Sequence, residues 1–539
     1  MAETTTKEVD HKALESLIRR VEEAIEHGLA LSSDDLTLLL EAIQTLAFVQ
    51  VELTNKSVTL SKLKKLLGII TSSEKSPRDK DDKGSRNRKG GKSTKKPSTK
   101  KPIEEKRHSH PNLRKGAACE KEHCNGKVYK HKPLVFVRFT GHAPFEAVKH
   151  VAERWECNLC GTVYTAPLPT EVLEDGDVHQ KYGYSARGLM ALSKFFSGQG
   201  YNHQDNLSDM MGHRISASSL FDQCEHLSND VMPIFYQLRK EAASAEHFLG
   251  DDTTHRILDK EPEIRPNRNG KGERLRTGIY SSCIIAKTKE EKEIVLFDTS
   301  LGHLGEFLDI ILKNRPPILP HPSIMTDALT SNKPTVCKVI LGLCNSHGRR
   351  QFKDIQALYP QEVEYVLKLY GKIWVNDHHT REAGMTKQQR LEYHKKHSLP
   401  VMETLKTWCE EQQAADDHEE NGPLGKAIKY FLKHYPGLTE FCKTPGVPID
   451  NNRTEETLKM VIRGRKNYYF FKTENGAGVA NVLTSIIATA WRAGINVYEY
   501  LVHIQRYKEQ VKANPEAWVP HRYEESLAEL QKEATKKAA

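Results

Sequence analysis

The sequence predicts a multidomain α+β protein built on one α/β core, with helical modules before and after it. Three observations carry this prediction. The chain has 539 residues, three to four times the usual domain size. Between residues 245 and 345, short β-branched and apolar runs alternate with a helical stretch, whereas the flanking segments read as helix. Hydrophobic residues make up 38% and charged residues 28% of the chain, the balance of a soluble, surface-rich protein. No apolar run approaches the roughly 20 residues that span a bilayer, so no membrane partner is expected. Ten cysteines are too few for a disulfide scaffold. With a polar start that lacks the apolar run of a secretory signal, they point to a reducing cytoplasm.

Taken in order, residues 1–71 read as helical. Ser32 with Asp35 three positions later is a capping-box signal. Behind it Leu39, Leu46, Leu53, Leu60 and Leu67 fall seven apart, one seam of a leucine zipper. The companion seam is weaker, because Gln50, Ser57 and Lys64 interrupt it. The alternative is a hairpin with the helix around Leu14 to Ile25. Residues 72–112 form a linker rich in Lys, Ser, Gly and Pro. Between 71 and 110 there are fourteen Lys and Arg against six Asp and Glu, nearly the whole net charge of +9. Such a run attracts phosphate backbones without reading sequence, or is simply a solvated spacer.

Residues 113–170 turn strand-like, with Leu134 to Val137 as a short β run. They carry Cys119-x4-Cys124 and Cys157-x2-Cys160, a pattern that can close a structural tetrahedral Zn²⁺ ribbon; reduced surface thiols are the alternative. Residues 180–244 return to helix. A helix from Gly188 to Phe196, a polar turn through Gly200 to Asn206, and helices at Leu207 to Gly212 and Ser216 to Leu227 suit a helix-turn-helix.

The core is expected over 245–505. Strands are predicted at His247 to Gly250, Ile279 to Ala286, Glu293 to Phe297 and Ser323 to Thr326, and a helix at Leu304 to Lys313. Asp251 and Asp252 end the first strand, Asp327 ends the fourth, and Glu455 and Glu456 open a late helix. A strand with Asp, two strands, a helix, a strand with Asp and a late helix with Glu is the ribonuclease-H-like arrangement. Three carboxylates on separate elements can hold two Mg²⁺ or Mn²⁺ ions for phosphoryl transfer, although carboxylates at element ends are often only solvated caps. The 128 positions from Asp327 to Glu455 exceed what such a core needs, so a helical insertion is expected over about 353–445. Residues 506–539 read as a helical tail.

The wording of several segments resembles the insertion sequence 66 family of DDE transposases. Asp450-Asn451-Asn452-Arg453-Thr454-Glu455 and Gly464-Arg465-Lys466-Asn467 are similar to its DNNxxE and GRKN boxes. Cys344 to Phe352 resembles its CxxHxRRxF segment, Gly250 to Thr253 its ADET box, and Thr326-Asp327 its second-aspartate box. The resemblance implies Asp251, Asp327 and Glu455 as catalytic, metal-holding carboxylates. The doubled acids leave room for a slip to Asp252 or Glu456. Arg349, Arg350, Arg463, Arg465, Lys466 and Asn467 become candidate DNA contacts. Cys344 and His347 are half a zinc site, or residues that pack and hydrogen-bond near the metals.

The function this implies is metal-dependent cleavage at insertion-sequence ends, followed by transfer of the freed 3′-hydroxyl into target DNA. No covalent protein intermediate is required. The implied partners are terminal-repeat and target DNA, a second copy of the chain and small accessory transposition proteins, in a cytoplasmic, nucleoid-associated setting. Two rivals share the sequence features: an inactive DNA-binding protein of transposon origin, and a metal-dependent nuclease or resolvase on the same fold.

Overall fold

The computed structural model describes residues 11–28, 30–40, 144–156, 163–177, 180–267, 272–415 and 419–538, with isolated positions at 115, 116 and 127. Most of the leucine seam, the basic linker, the Leu134 to Val137 run and the four cysteines Cys119, Cys124, Cys157 and Cys160 lie outside the described residues. Two compact units divide the chain near residue 94.

In the first unit, helix α1 (His11–His27) precedes a helix entered at residue 33. The cap expected at Ser32 is formed: its Oγ accepts the Asp35 N–H at 3.1 Å. Asp35 Oδ1 also takes Arg20 Nη2 at 2.7 Å, which fastens α1 to the second helix in the manner of a hairpin.

The second unit begins, among described strands, with β1 (Arg154–Glu156) and β2 (Val163–Thr165), paired antiparallel across residues 157–162. Then come α2 (Tyr184–Ala191), a π-helical turn at Leu192–Phe196, α3 (Tyr201–Met210) and α4 (Ala217–Ala243). Two expectations are corrected here. Residues 201–206 are helix, not a polar turn, because Gln204 and Ser208 are buried and polar side chains fill the inward face of α3. The helix that opens at Ser216 does not stop near Leu227 but continues through Pro233 to Ala243. Leu220, Leu227, Val231, Ile234 and Leu238 make a fully buried stripe at helical spacing, and that burial outweighs the proline.

The core sheet has five strands in the order β7-β6-β3-β8-β9. They are β3 (His247–His255), β6 (Ile279–Lys287), β7 (Glu293–Ser300), β8 (Ser323–Thr326) and β9 (Ile340–Leu343), with a charged hairpin, β4 (Glu263–Pro266) and β5 (Glu273–Arg276), between β3 and β6. β6 runs antiparallel to both β3 and β7, whereas β3, β8 and β9 are parallel. This mixed order matches the ribonuclease-H-like core expected from the sequence. One detail is corrected: β3 does not end at Asp251 but runs on to His255, so both aspartates sit within the central strand.

Helix α5 (Leu304–Leu312) covers one face of the sheet, and α11 (Asn452–Tyr468) packs on β3 and β6. Helix α12 (Glu474–Ala493) runs along the edge strand β7. There Ser485 Oγ accepts the Phe297 N–H at 2.8 Å and Thr489 Oγ1 the Val295 N–H at 3.0 Å. Donors that would otherwise present an open sheet edge are thus paired.

After β9, α6 (Asn345–Lys353) leads into the expected helical insertion: α7 (Pro360–Glu382), α8 (Lys387–His397), α9 (Leu399–Ala414) and α10 (Pro423–Leu438). It packs on α6 and β9. The expected boundaries at 244 and 505 fall inside one core, since Leu220 and Leu238 of α4 and Trp518 and Tyr523 near the C-terminus belong to the same buried cluster as the sheet.

Candidate active site

Adjacent residues on a strand point to opposite faces, and this separates the doubled aspartates of β3. Asp252 faces α5: its Oδ2 accepts the Leu304 N–H at 3.2 Å and lies 3.0 Å from His303 Nδ1. Gly250 is on the same face, where a Cβ would lie 2.7 Å from a Leu304 methyl, closer than packing allows. Asp251 turns the other way, toward Asp327 and Glu455. Burial, and next the facing carboxylate of Asp327, push its carboxyl up to about 7; Asp252 and Glu455 add smaller repulsions.

Asp327 follows β8 directly. Its Oδ1 accepts the Leu329 N–H at 3.0 Å and Asn332 Nδ2 at 2.8 Å, which fixes the carboxylate. Glu455 lies in the first turn of α11, and the residues before it anchor that turn. Asn451 is fully buried; its Nδ2 donates to the Gly250 carbonyl at 2.8 Å and its N–H to Cys344 Sγ at 3.2 Å. Asp450 accepts Trp374 Nε1 of the insertion at 3.1 Å. Glu456 is exposed and lies 3.9 Å from Arg492, away from this cluster. On the insertion side, the hydroxyl of Tyr430 from α10 is pushed up to about 12 by burial and by the nearby charge of Asp327.

Cys344, buried at the start of α6, and His347, one turn on, adjoin Glu455. His347 Nε2 is 3.6 Å from Glu455 Oε1. The donor set of Asp251, Asp327 and Glu455 is all carboxylate oxygen, the chemistry of a hard divalent cation. The mutual repulsion that holds Asp251 up is what such a cation would relieve, so the residues fit the group. Sequence reasoning did not single out Asn451, Asn332, Trp374 or Tyr430. Only Asn451 carried a signal, as a member of the segment quoted around Glu455.

The sequence profile described as "Transposase IS66 family" matches residues 180–479, more than half of the chain. The chain belongs to the IS66 family of transposases. It is also 24% identical over 362 residues to a Sinorhizobium fredii protein named "Uncharacterized protein y4hP", covering 64% of this chain and 62% of that one. A second protein of that organism, "Uncharacterized protein y4jD", is 30% identical over 166 residues, covering 30% of this chain and 32% of its own. The chain thus spans less than two thirds of the length of either relative.

The basic residues of this IS66-family chain divide into two groups. Arg349 and the exposed Arg350 line a cleft of about 590 Å³ with Ser346, Lys353, Asp354, Trp374 and Asn452, between α6 and α7. The GRKN segment instead binds its own protein. Arg465 Nη1 donates to Thr253 Oγ1 at 2.9 Å and Asn467 Nδ2 to the Gly198 carbonyl at 2.8 Å. Arg463 Nη2 reaches the Phe196 carbonyl at 2.9 Å, and Lys466 is exposed. Gly464 permits this close approach: a Cβ there would meet the Tyr468 hydroxyl at 2.2 Å, while Gly198, at φ +79°, lies against its backbone. The two tyrosines also part. Tyr468 is turned inward beneath the buried Lys194, whose Nζ stands 3.3 Å from the ring centre, whereas Tyr469 is 73% exposed with a left-handed φ of +64°. Among the described residues, no helix is long and apolar enough to cross a membrane.

Proposed function

We propose that this IS66-family protein is an active DNA transposase that cuts at the ends of its element and joins the freed 3′-hydroxyl to target DNA, with Asp251, Asp327 and Glu455 as the catalytic carboxylates. The observation that carries the reading is the convergence of these three, from β3, β8 and α11, with Asp252 and Glu456 both turned away. When bound there, two Mg²⁺ or Mn²⁺ ions would activate the attacking oxygen and stabilise the leaving one. The protein's part is to hold its carboxylates still. Asn332 and the Leu329 N–H fix Asp327, and Asn451 locks the start of α11 to the backbone carbonyl just before Asp251. Arg349, Arg350 and Lys353, on the α6 that also carries His347, offer a phosphate-binding wall. Lys466 and the projecting Tyr469 supply a cation and a stacking face. Arg463, Arg465 and Asn467 act by bracing α11 against β3 and the turn at 196–198.

In the rest of the reading, residues 180–244 recognise the terminal repeats. A zinc ribbon at Cys119, Cys124, Cys157 and Cys160 and the basic 72–112 segment add DNA affinity, the latter falling steeply with salt. A dimer or larger assembly, working with small accessory proteins at the nucleoid, brings two DNA ends together.

The test incubates purified protein with pre-cleaved element-end DNA, a target plasmid and Mg²⁺ or Mn²⁺, comparing wild type with Asp327→Ala. Joined product from wild type alone is expected. Cutting without any joining would replace the transposase reading with a nuclease, and binding without either would leave a DNA-binding protein.

A further inference from the structure

We propose that Cys344, His347 and Glu455 form a second metal site, one that takes a borderline transition-metal ion of the zinc type and shares only Glu455 with the all-oxygen cluster of Asp251 and Asp327. It rests on the proposed function only in that Glu455 serves both sites.

The geometry comes first. The thiol sulfur, an imidazole nitrogen and a carboxylate oxygen all lie within 4.8 Å of one another. Donors around a tetrahedral zinc ion stand roughly 3.3–3.8 Å apart, given metal–ligand distances near 2.0–2.3 Å, so the three need close by only about 1 Å. The polar atoms are, moreover, left waiting. Glu455 Oε1 and His347 Nδ1 are both buried without a hydrogen-bond partner, although buried polar groups are nearly always paired.

The sulfur is held in place beside these two. Cys344 is 1% exposed at the N-terminal end of α6, and its Sγ accepts the Asn451 N–H at 3.2 Å. Burial pushes the free thiol up to about 11 against the smaller pull of the neighbouring amides, so binding of the ion displaces a proton from the sulfur. The ligand set, one sulfur, one nitrogen and one oxygen, selects zinc-like ions over Mg²⁺, which wants oxygen alone. Three protein ligands leave a fourth position open, the pattern of a reactive zinc site, not a closed structural one.

Cobalt(II) is the probe, because thiolate ligation gives it a charge-transfer absorption band. The full chain, stripped with chelator, is titrated with Co²⁺ in excess Mg²⁺ for wild type, Cys344→Ser, His347→Ala and Asp327→Ala. The chain's other cysteine pairs can also bind cobalt, so the readout is the difference between variants. Wild type and Asp327→Ala should bind one equivalent more than Cys344→Ser and His347→Ala, and Cys344→Ser should lose part of the thiolate band. Added zinc should displace that cobalt. His347→Ala, at a partly exposed position, keeps the thiol and guards against a folding failure of the buried cysteine variant. Equal stoichiometry and equal spectra in wild type and both ligand variants would overturn the site. Wild type that shows the extra cobalt but joins no DNA would sink the catalytic reading alone. Joining without the extra cobalt would sink only this one.

Discussion

Asp251 is held where burial and the facing carboxylate of Asp327 both oppose its ionisation, with its carboxyl pushed up to about 7. A carboxyl raised above its unfolded value of about 3.9 loses stability as pH climbs from that value through the folded one. At pH 7.5, Asp251→Asn should therefore stabilise the metal-free protein, by on the order of 2 kcal/mol, while abolishing strand transfer. Urea denaturation beside the joining assay checks both. A destabilised Asn variant would mean that Asp251 is paired, not repelled. Asp252→Ala should behave oppositely, losing about 1 kcal/mol with the acceptor of the first amide of α5. The sequence shows two adjacent aspartates, and strand periodicity says that they face apart. It does not say which face will meet α11, because α11 begins some 200 positions later. The basic residues show a related gap: Arg463, Arg465 and Asn467 read as DNA ligands in the string, and in the fold they bond to carbonyls and a hydroxyl of β3 and the turn at 196–198, a distance the string does not encode.

Among the elements, those that bury continuous apolar runs were legible. β6, β7, α5 and β8 form where Ile284-Ile285, Val295-Leu296-Phe297, Leu308 and Ile324-Met325 foretold them, and all are buried. The hairpin of β4 and β5 was not legible, since Glu263, Arg265, Glu273 and Arg276 give it no apolar signal. The first part of α3 was missed because its buried face is partly Gln and Ser. One pairing invisible in sequence has a measurable cost. In the double variant Ser485→Ala with Thr489→Val, the N–H groups of Phe297 and Val295 lose their acceptors at a buried edge. Each such orphan costs about 1–3 kcal/mol, so the urea midpoint should drop clearly and light scattering should rise as the freed edge finds other chains. A loss under about 0.5 kcal/mol would show that water or a small backbone shift replaces the hydroxyls.

Over the whole molecule, two buried imidazoles make acid stability depend on pH. His247, against Ser323 at 2.7 Å, and His255, stacked on Phe471, are each lowered to about 4, mainly by burial. Histidines depressed from 6.5 contribute stability that is fully present above that pH and is lost as pH falls through about 4. Asp251 opposes them over much of this range, because its raised carboxyl gains stability on acidification, as those of Asp230, Asp298 and Asp450 also do. Between pH 6.5 and 4, unfolding free energy should therefore decline less steeply in His247→Gln, and more steeply in Asp251→Asn, than in wild type. Identical profiles in the three proteins would count against this assignment.

The clasp at the base of the insertion has a further consequence. Asn345 Nδ2 bonds to the carbonyl of Ile449, 104 positions away, and Asn451 returns a bond to Cys344. In polymer terms the helical insertion is a loop whose two ends are already pinned together beside Glu455. The entropy of closing such a loop grows only with the logarithm of its length, so doubling it would cost about 0.6 kcal/mol. The insertion can therefore lengthen, shrink or change its outer helices at little thermodynamic cost, while a few hydrogen bonds at its base keep the three carboxylates in register.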